Sequence, residues 1–217
     1  MKVAFMYSCI HPIPPSVLPK MNRIFPDFSR RESLVGKLIV ASPEVPTGSR
    51  SYQNVVLILQ DQDDGVFGVS VNCPASQEVQ TAWQQFSGPS FSAEHLADGG
   101  PVSGPVLALH RNRDLAEMEI EAGLYVSVQK ESLERLSELE DCEKDLPLRV
   151  VLGAVNWNVG VLEKEIADGK WYVIEGNPEL IFGESDRVWF DGLRLHGRKI
   201  LTNVTGISSF PECPLQN

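Results

Sequence analysis

Histidine and cysteine side chains could supply acid–base, nucleophilic or metal-binding chemistry, and their spacing decides which is available. The four histidines, His11, His95, His110 and His196, are far apart and form no HExxH or HxH pattern. The four cysteines form no CxxC pair and no Cys/His pair at zinc-finger spacing. Because a metal site needs three or four converging ligands, we expect no metal site. We also expect no cofactor and no catalytic residue.

Cys73 and two glutamates are the next groups with chemical potential. Cys73 lies between Asn72 and Pro74, and a positive neighbour would lower its pKa and make it reactive. No Lys or Arg lies within ten positions of it, so we expect an unreactive thiol. Glu163 and Glu165 are two positions apart on a predicted helix and point to different faces, so they do not form an acid–base dyad. We expect Glu163 to stabilise the start of that helix, where the dipole favours an anion.

The glycine-rich segments do not match the common phosphate and nucleophile motifs. The sequence contains no GxGxxG and no GxxxxGK[ST]. In the segment 100–104, Ser103 stands one position late for a GxSxG nucleophile elbow. The usual signatures of dinucleotide sites, P-loops and nucleophile elbows are therefore absent from the sequence.

Turn-forming and aromatic residues could instead shape a binding groove. Trp157 lies on a predicted glycine-bounded loop over 153–160, where it is either a packing plug or an exposed recognition group. Packing is favoured because large aromatic side chains are usually buried. The ligand-binding candidates are Asn72, Gly99, Gly100, Pro101, His110, Trp157 and Glu163.

Hydrophobic periodicity predicts the strands and helices that position these residues. Apolar and β-branched runs predict strands over 34–41, 54–59, 66–71, 106–110, 124–128, 148–153 and 171–174. Helical spacing predicts helices over 76–86, 132–143, 161–167 and 186–197. The second and third strands predict a hairpin with a five-residue connection. Because strands and helices do not alternate strictly, we expect an α+β fold.

The composition is that of a globular protein with an acidic charge balance. Of 217 residues, 42% are hydrophobic and 22% charged, which excludes wholesale disorder. The net charge of −10 opposes contact with nucleic-acid phosphates, so we do not expect direct nucleic-acid binding. No apolar run approaches the ~18–20 residues of a transmembrane helix. Dispersed cysteines favour reduced thiols, and we expect a cytoplasmic protein without a membrane partner.

The chain divides into a proline-rich start, one domain and a short tail. Residues 1–31 hold five basic residues, one acid and five prolines. Proline fixes φ and removes a hydrogen-bond donor, so this segment is predicted to be a flexible basic extension. We expect a single domain over 32–200 and a C-terminal tail over 201–217.

Five blocks of sequence, in order, carry a resemblance to a known family. They are GKLIVASP at 36–43, GVFGVSVNCP at 65–74, GGPV at 99–102, GAVNWNVGVLEKEI at 153–166, and Trp171. The chain resembles the YqgE/AlgH family of small bacterial proteins. The resemblance implies one α+β domain built on a strongly curved, barrel-like, mainly antiparallel sheet with peripheral helices. It also brings the label of a transcriptional regulator and implies no established reaction.

Three functional hypotheses follow. The first is a non-enzymatic binding or regulatory module with a protein or small-molecule partner. The second is an enzyme with an unrecognised site near Asn72, His110 and the Gly99–Val102 turn, with Cys73 or His110 reacting. The third is a DNA-binding regulator that acts through the basic segment 1–31. The first and second differ in whether Asn72, Gly100, His110 and Trp157 line one cavity.

Overall fold

The computed structural model describes residues 32–77, 80, 81, 83, 96–142 and 147–206. The predicted extension over 1–31, much of the predicted helix over 76–86 and residues 207–217 lie outside this description. His11 and His95 also fall outside it. The unit that carries the fold begins at Leu34.

Nine strands of the described residues form one curled, mainly antiparallel sheet. They are β1 (Leu38–Ala41), β2 (Val55–Gln62), β3 (Gly65–Ser70), β4 (Leu96–Asp98), β5 (Val102–His110), β6 (Met118–Glu121), β7 (Leu124–Ser127), β8 (Leu148–Asn158) and β9 (Trp171–Ile174). The strand order is β6-β7-β5-β8-β3-β2-β1-β9, and β4 is an additional, parallel partner of β8. The α+β architecture that the resemblance implied is confirmed.

Four α-helices have both ends within the described residues, together with a 3₁₀ turn at Arg113–Leu115. The helices are α1 (Lys130–Cys142), α2 (Val161–Ala167), α3 (Pro178–Ile181) and α4 (Ser185–Thr205). Helix α4 buries Val188, Trp189 and Gly192, and the Trp189 Nε1–H donates to the Ala41 carbonyl at 2.8 Å. None of the helices in this part of the chain is long and apolar enough to cross a membrane.

The centre of the sheet is apolar on both faces, as the continuous aliphatic runs predict. Every residue of β1 and the first five residues of β2 are buried. They belong to the larger core, which the aromatic and aliphatic side chains of α4 also cover. A smaller core lies under α1, where Leu133 and Leu136 pack with residues of β4, β5 and β8.

Strand β8 is the long central strand. Along one of its edges the neighbouring strand changes from β4 to β3. On one side β5 pairs with it from Leu148 to Ala154. On the other side β4 pairs with Val150–Leu152 and β3 pairs with Val155–Asn158. Gly153 lies at the change of partner with φ 85°, so the backbone turns where one neighbour ends and the next begins.

Several predicted boundaries differ from the observed ones because backbone pairing continues past the apolar runs. The β2–β3 connection has two residues, Asp63 and Asp64, since pairing reaches Gln62 and Gly65. Strand β8 extends to Asn158, so the predicted loop over 153–160 was largely wrong. Strands β4 and β6 were not predicted at all, because each is short and only partly apolar. Helix α4 continues to Thr205, into the predicted tail.

Candidate functional site

A polar cavity of about 330 Å³ lies at one end of β1 and β9. Its walls come from the segment after β1 and from the turn between α2 and β9. The polar lining consists of Ser42, Glu44, Ser49, Ser51, Glu165, Asp168 and Lys170, and Trp171 contributes an aromatic wall. A volume of this order is that of a site for a small molecule.

Glu165 is the best-anchored polar group of the cavity. Its Oε2 accepts hydrogen bonds from the indole Nε1–H of Trp157 and of Trp171, each at 3.0 Å. Its Oε1 accepts one from the Lys170 ammonium at 3.4 Å. The two indole rings meet edge to face, with centroids 6.0 Å apart. One carboxylate therefore ties β8, α2 and β9 together at the cavity wall.

The charge of Glu165 is held by these donors. Burial on its own raises the pKa of the carboxyl group, but the hydrogen bonds from Trp171, Trp157 and Lys170, with the Lys170 charge, outweigh it. The net result is a pKa below the ordinary value for glutamate. A carboxylate with a lowered pKa stays ionised at neutral pH and acts as a fixed anion, whereas a general base works best near the operating pH.

Local backbone structure explains how the three side chains meet. Trp157 is placed by the pairing of β8 with Val66, and Trp171 by the pairing of β9 with Ala41. Between them, α2 begins after Gly160, whose backbone is left-handed, and ends at Ala167. This short helix brings Glu165 back between the two strands that carry the indoles.

A second hydrogen-bond group connects the cavity to α4. The Ser42 hydroxyl lies 3.2 Å from the Tyr172 hydroxyl and accepts the backbone N–H of Glu44 at 3.3 Å. The Tyr172 ring stacks on His196 of α4, with centroids 4.3 Å apart and planes 9° from parallel. Burial, and to a lesser extent the Lys199 charge, lowers the pKa of His196. The imidazole is thus suited to stacking in its neutral form.

Asn72 has a structural role at the end of β3. Its Oδ1 accepts the backbone N–H of Val55 at 2.8 Å, and its Nδ2 donates to the carbonyl of Gln53 at 2.8 Å. The side-chain amide therefore continues the pairing beside β2 after β3 has ended. Asn72 is not among the residues that line the cavity.

Gly99 and Gly100 allow a close approach between the predicted turn and β8. The Gly99 N–H donates to the Leu152 carbonyl at 2.7 Å, and the Gly99 carbonyl accepts from Ser70 at 2.9 Å. A Cβ on Gly99 would collide with the carbonyl oxygen of Gly153, and one on Gly100 with that of Ala154. These two glycines close the gap between β3, β4 and β8.

Pro101 and Glu163 lie outside the polar cavity. Pro101 is exposed at the start of β5. Glu163 is partly buried in the first turn of α2, where the helix dipole favours an acid. Its position fits the predicted role of stabilising the helix start, whereas the carboxylate that binds the indoles belongs to Glu165.

His110 is fully buried at the far end of β5. Its Nε2 lies 2.9 Å from the Ser127 hydroxyl, which donates its own proton to the Leu115 carbonyl. Nε2 therefore carries the proton and donates to Ser127. Burial lowers the pKa of His110, and the Asn112 backbone and Glu117 carboxylate oppose this only in part.

The predicted candidates do not converge. His110 pairs with Leu148, whereas Trp157 lies nine residues further along β8, a distance of roughly 30 Å in a strand. Trp157 is 8% exposed, so the packing interpretation was right, but it lies on a strand and not on a loop. Asn72, Gly100, His110 and Trp157 are not among the residues that line the polar cavity, so this cavity does not bring together the residues that the enzymatic hypothesis requires.

Two further groups define the chemistry around the core. Cys73 is a half-buried free thiol. Burial raises its pKa, the Ser70 hydrogen bond opposes this in part, and the Asp98 charge adds a smaller increase. Arg149, which sequence reasoning missed, is buried and donates to the carbonyls of Val71 and Gly183. Burial lowers the pKa of Arg149 to about 10. Its guanidinium links the end of β3 to the segment that begins α4.

The curled, mainly antiparallel sheet and its peripheral helices define a small α+β protein with a polar cavity at one edge of the sheet. A model of the AlgH-like family matches residues 38–201, which is most of the chain. The chain belongs to the AlgH-like family.

Relatives and solved structures agree with this assignment. A UPF0301 protein of Chlorobium luteolum is 30% identical over 195 residues, covering 88% of this chain and 97% of the relative. A second, from Ruegeria pomeroyi, is 32% identical over 173 residues, covering 76% and 92%. The solution structure of AlgH from Pseudomonas aeruginosa has a TM-score of 0.59 at 18% identity, covering 84% of this chain and all (100%) of that one.

A crystal structure from Corynebacterium diphtheriae is similar to the same extent. Its TM-score is 0.59 at 21% identity, and the match covers 76% of this chain and 88% of that one. At these identities the two structures establish the fold, and the names of the relatives state a family without an activity.

Proposed function

We propose that the protein is a non-enzymatic binding module whose ligand occupies the polar cavity beside Glu165. The observation that carries this proposal is the Glu165 carboxylate, fixed by two indole N–H groups and an ammonium at the cavity wall. The hydrogen bonds from its partners lower the pKa of Glu165, which favours the ionised carboxylate at neutral pH. A fixed charge in a small concave site orients a ligand.

The lining favours a small, polar, positively charged ligand. The lining contains three carboxylates, of Glu44, Glu165 and Asp168, and one ammonium group, of Lys170. Ser42, Ser49 and Ser51 add hydroxyl groups that can donate or accept. The excess of negative charge attracts cations and repels phosphates. An ammonium group with several hydroxyls, as in an amino sugar, matches these groups.

Nuclear magnetic resonance of the indole N–H groups tests the proposal directly. The chain has four tryptophans, and Trp157→Phe and Trp171→Phe assign two of the four indole signals. With millimolar glucosamine as the probe, those two signals are expected to shift while the other two stay in place. Glucose, which lacks the charge, and glucosamine 6-phosphate, which adds an anion, are expected to produce much smaller shifts.

A variant pair checks that the cavity carboxylates are responsible. Glu44→Gln combined with Asp168→Asn removes two negative charges from the lining and is expected to weaken the glucosamine response at least about fivefold. Glu179→Gln removes an exposed charge that does not line the cavity and serves as the control. Equal responses to all three sugars, or none, would contradict the proposed ligand class.

The same spectra separate binding from catalysis. The signals of glucosamine itself should remain unchanged over hours in the presence of the protein. Conversion of the sugar to another compound would favour the enzymatic alternative. Because Asn72 and His110 do not line the cavity, that reaction would have to use other residues.

We propose that any regulatory role works through ligand or protein binding and not through direct contact with DNA. The support is the net charge of −10, which repels phosphates. A salt-dependent mobility shift of duplex DNA that disappears when residues 1–31 are deleted would contradict this and favour the DNA-binding alternative.

We further propose a cytoplasmic location. The support is Cys73, a free, half-buried thiol of a kind that reducing compartments maintain. Cell fractionation with an antibody against the protein tests this, and recovery in an exported fraction would contradict it.

A further inference from the structure

Helix α4 carries two apolar faces on opposite sides. At 3.6 residues per turn, Val188 and Gly192 lie on the side that packs on the sheet. Phe190, Leu201 and Val204 lie on the other side, where they are 60%, 49% and 79% exposed. Ile200, 48% exposed, borders them. We call these four exposed residues the outer stripe.

The outer stripe is arranged symmetrically about Gly197. Phe190 and Val204 of the outer stripe each lie seven residues from Gly197. Leu201 lies four residues after Gly197, and Leu193, which is partly buried against the larger core, lies four residues before it. If two copies of α4 cross antiparallel at Gly197, Phe190 of one copy meets Val204 of the other, and Leu193 meets Leu201. A two-fold interface requires this kind of self-complementarity, because the same patch must serve both subunits.

Gly197 itself is suited to such a crossing. A Cβ built on it has no heavy atom within 4 Å, so nothing in the described part of the chain requires a glycine there. Glycine in a helix interior costs about 1 kcal/mol relative to alanine. The missing side chain lets a second helix approach closely, because the distance between packed helices depends on the side chains at the contact.

The size and charge of the stripe fit a second copy. Its four side chains expose roughly 400 Å² of apolar surface per copy, within the range at which patches are often functional. Because homodimer interfaces are about 65% apolar, this corresponds to an interface of roughly 1,200 Å² in total, the lower end for stable complexes. Arg194, paired with Asp191 at 3.1 Å, would lie opposite the apolar Ile200.

We propose that the protein forms a two-fold symmetric homodimer in which the outer stripes of two α4 helices pack antiparallel across Gly197. The interface is independent of the polar cavity, which lies at the end of β1 and β9.

Sedimentation velocity of the full chain over about 1–200 μM tests the proposal. The wild type is expected to reach twice the chain mass of 24.0 kDa at the upper concentrations. Val204→Glu buries two charges in each dimer and is expected to weaken association at least about 100-fold. Gly197→Leu is expected to have a similar effect by keeping the helices apart. Both sites are open in the single chain, so folding should be unaffected.

Val159→Glu is the matched control, because Val159 is 66% exposed and belongs to the connection between β8 and α2, not to α4. It should leave the dimer intact. As a second readout, Gly197→Cys places a thiol on the two-fold axis, so mild oxidation should link two copies beyond the wild-type background. A monomer at every concentration would overturn the proposal. So would a dimer insensitive to Val204→Glu, or one that appears only when residues 207–217 are removed.

Discussion

Glu165 determines the geometry of the cavity wall because one carboxylate satisfies two indoles and an ammonium. Each hydrogen bond to a charged group contributes about 1.5–3 kcal/mol to the free energy of unfolding when the partners are well placed. Since the Glu165 side chain is 26% exposed, solvent reduces these contributions. The residue thus combines a structural task with the electrostatics of the site.

Glu165→Gln is expected to destabilise the fold by about 2 kcal/mol at pH 7, because the amide offers only one acceptor and no charge. Urea unfolding measures this. Trp171→Phe removes one hydrogen-bond donor and keeps most of the ring. The double variant should lose less stability than the sum of the losses in the two single variants. Strictly additive losses would contradict the shared hydrogen bonds.

The lowered pKa of Glu165 also predicts a pH dependence. An acid whose pKa is lower in the folded chain stabilises the fold above its unfolded pKa, near 4.3, and this stability is lost as the pH falls through the folded value. Glu165→Gln should therefore flatten the decline of stability below about pH 4.3.

His110 predicts a second, separate pH window. Burial lowers its pKa, so the folded imidazole stays neutral while the unfolded one gains a proton near pH 6.5. Its stabilising contribution is complete above pH 6.5 and falls as the pH drops toward the folded pKa. His110→Gln, which can still donate to Ser127, should reduce the loss of stability between pH 7 and 5.5 in urea unfolding. His196→Gln provides the comparison, because the pKa of His196 is lowered in the same direction. An unchanged pH dependence in His110→Gln would contradict the assignment.

At the scale of elements, β8 and its change of partner organise the sheet. Gly153 has φ 85°, and a Cβ on it would lie 2.6 Å from the Gly100 carbonyl oxygen. Two independent costs therefore oppose any side chain at this position: the left-handed backbone and the close approach of the Gly99–Gly100 turn.

Gly153→Ala is expected to destabilise the protein by about 3 kcal/mol or more, combining backbone strain with displacement of the turn. Gly160→Ala is a matched control, because Gly160 has φ 77° but no heavy atom within 4 Å of a Cβ. Gly160→Ala should lower the free energy of unfolding by only about 1 kcal/mol. Equal losses in thermal or urea unfolding would show that the contact with Gly100 does not contribute.

At the scale of the whole molecule, α4 serves the single chain and the proposed dimer through different faces. Its inner face and the Trp189 hydrogen bond to Ala41 fasten it to the sheet. Its outer stripe stays 48–79% exposed, although Phe190 contacts the Trp189 ring edge to face, so most of this apolar surface is available to stabilise an assembly.

A dimer predicts that thermal stability depends on concentration. Because association stabilises only the folded state, a 100-fold rise in protein concentration should raise the apparent Tm by about 5 °C. Differential scanning calorimetry at two concentrations measures this shift. Val204→Glu should abolish it and Val159→Glu should retain it, whereas a concentration-independent Tm in the wild type would contradict the dimer.

The sequence by itself determined the central strands, the longer helices and the family. Aliphatic runs such as 54–59 and the leucine spacing of 132–143 reflect burial in one strand or on one helix face, which is a local property of the chain. The resemblance of five blocks then indicated that these elements form one curved, mainly antiparallel sheet with peripheral helices.

The tertiary structure alone decided which side chains share a site. Asn72 and His110 looked available for chemistry, yet one completes a strand edge and the other is buried. Glu165 looked like a helix-surface acid, yet it receives two indoles, because the pairing of β8 with β3 and of β9 with β1 brings those strands to either side of α2. Such convergence depends on long-range backbone pairing, which the identity and spacing of single residues do not encode.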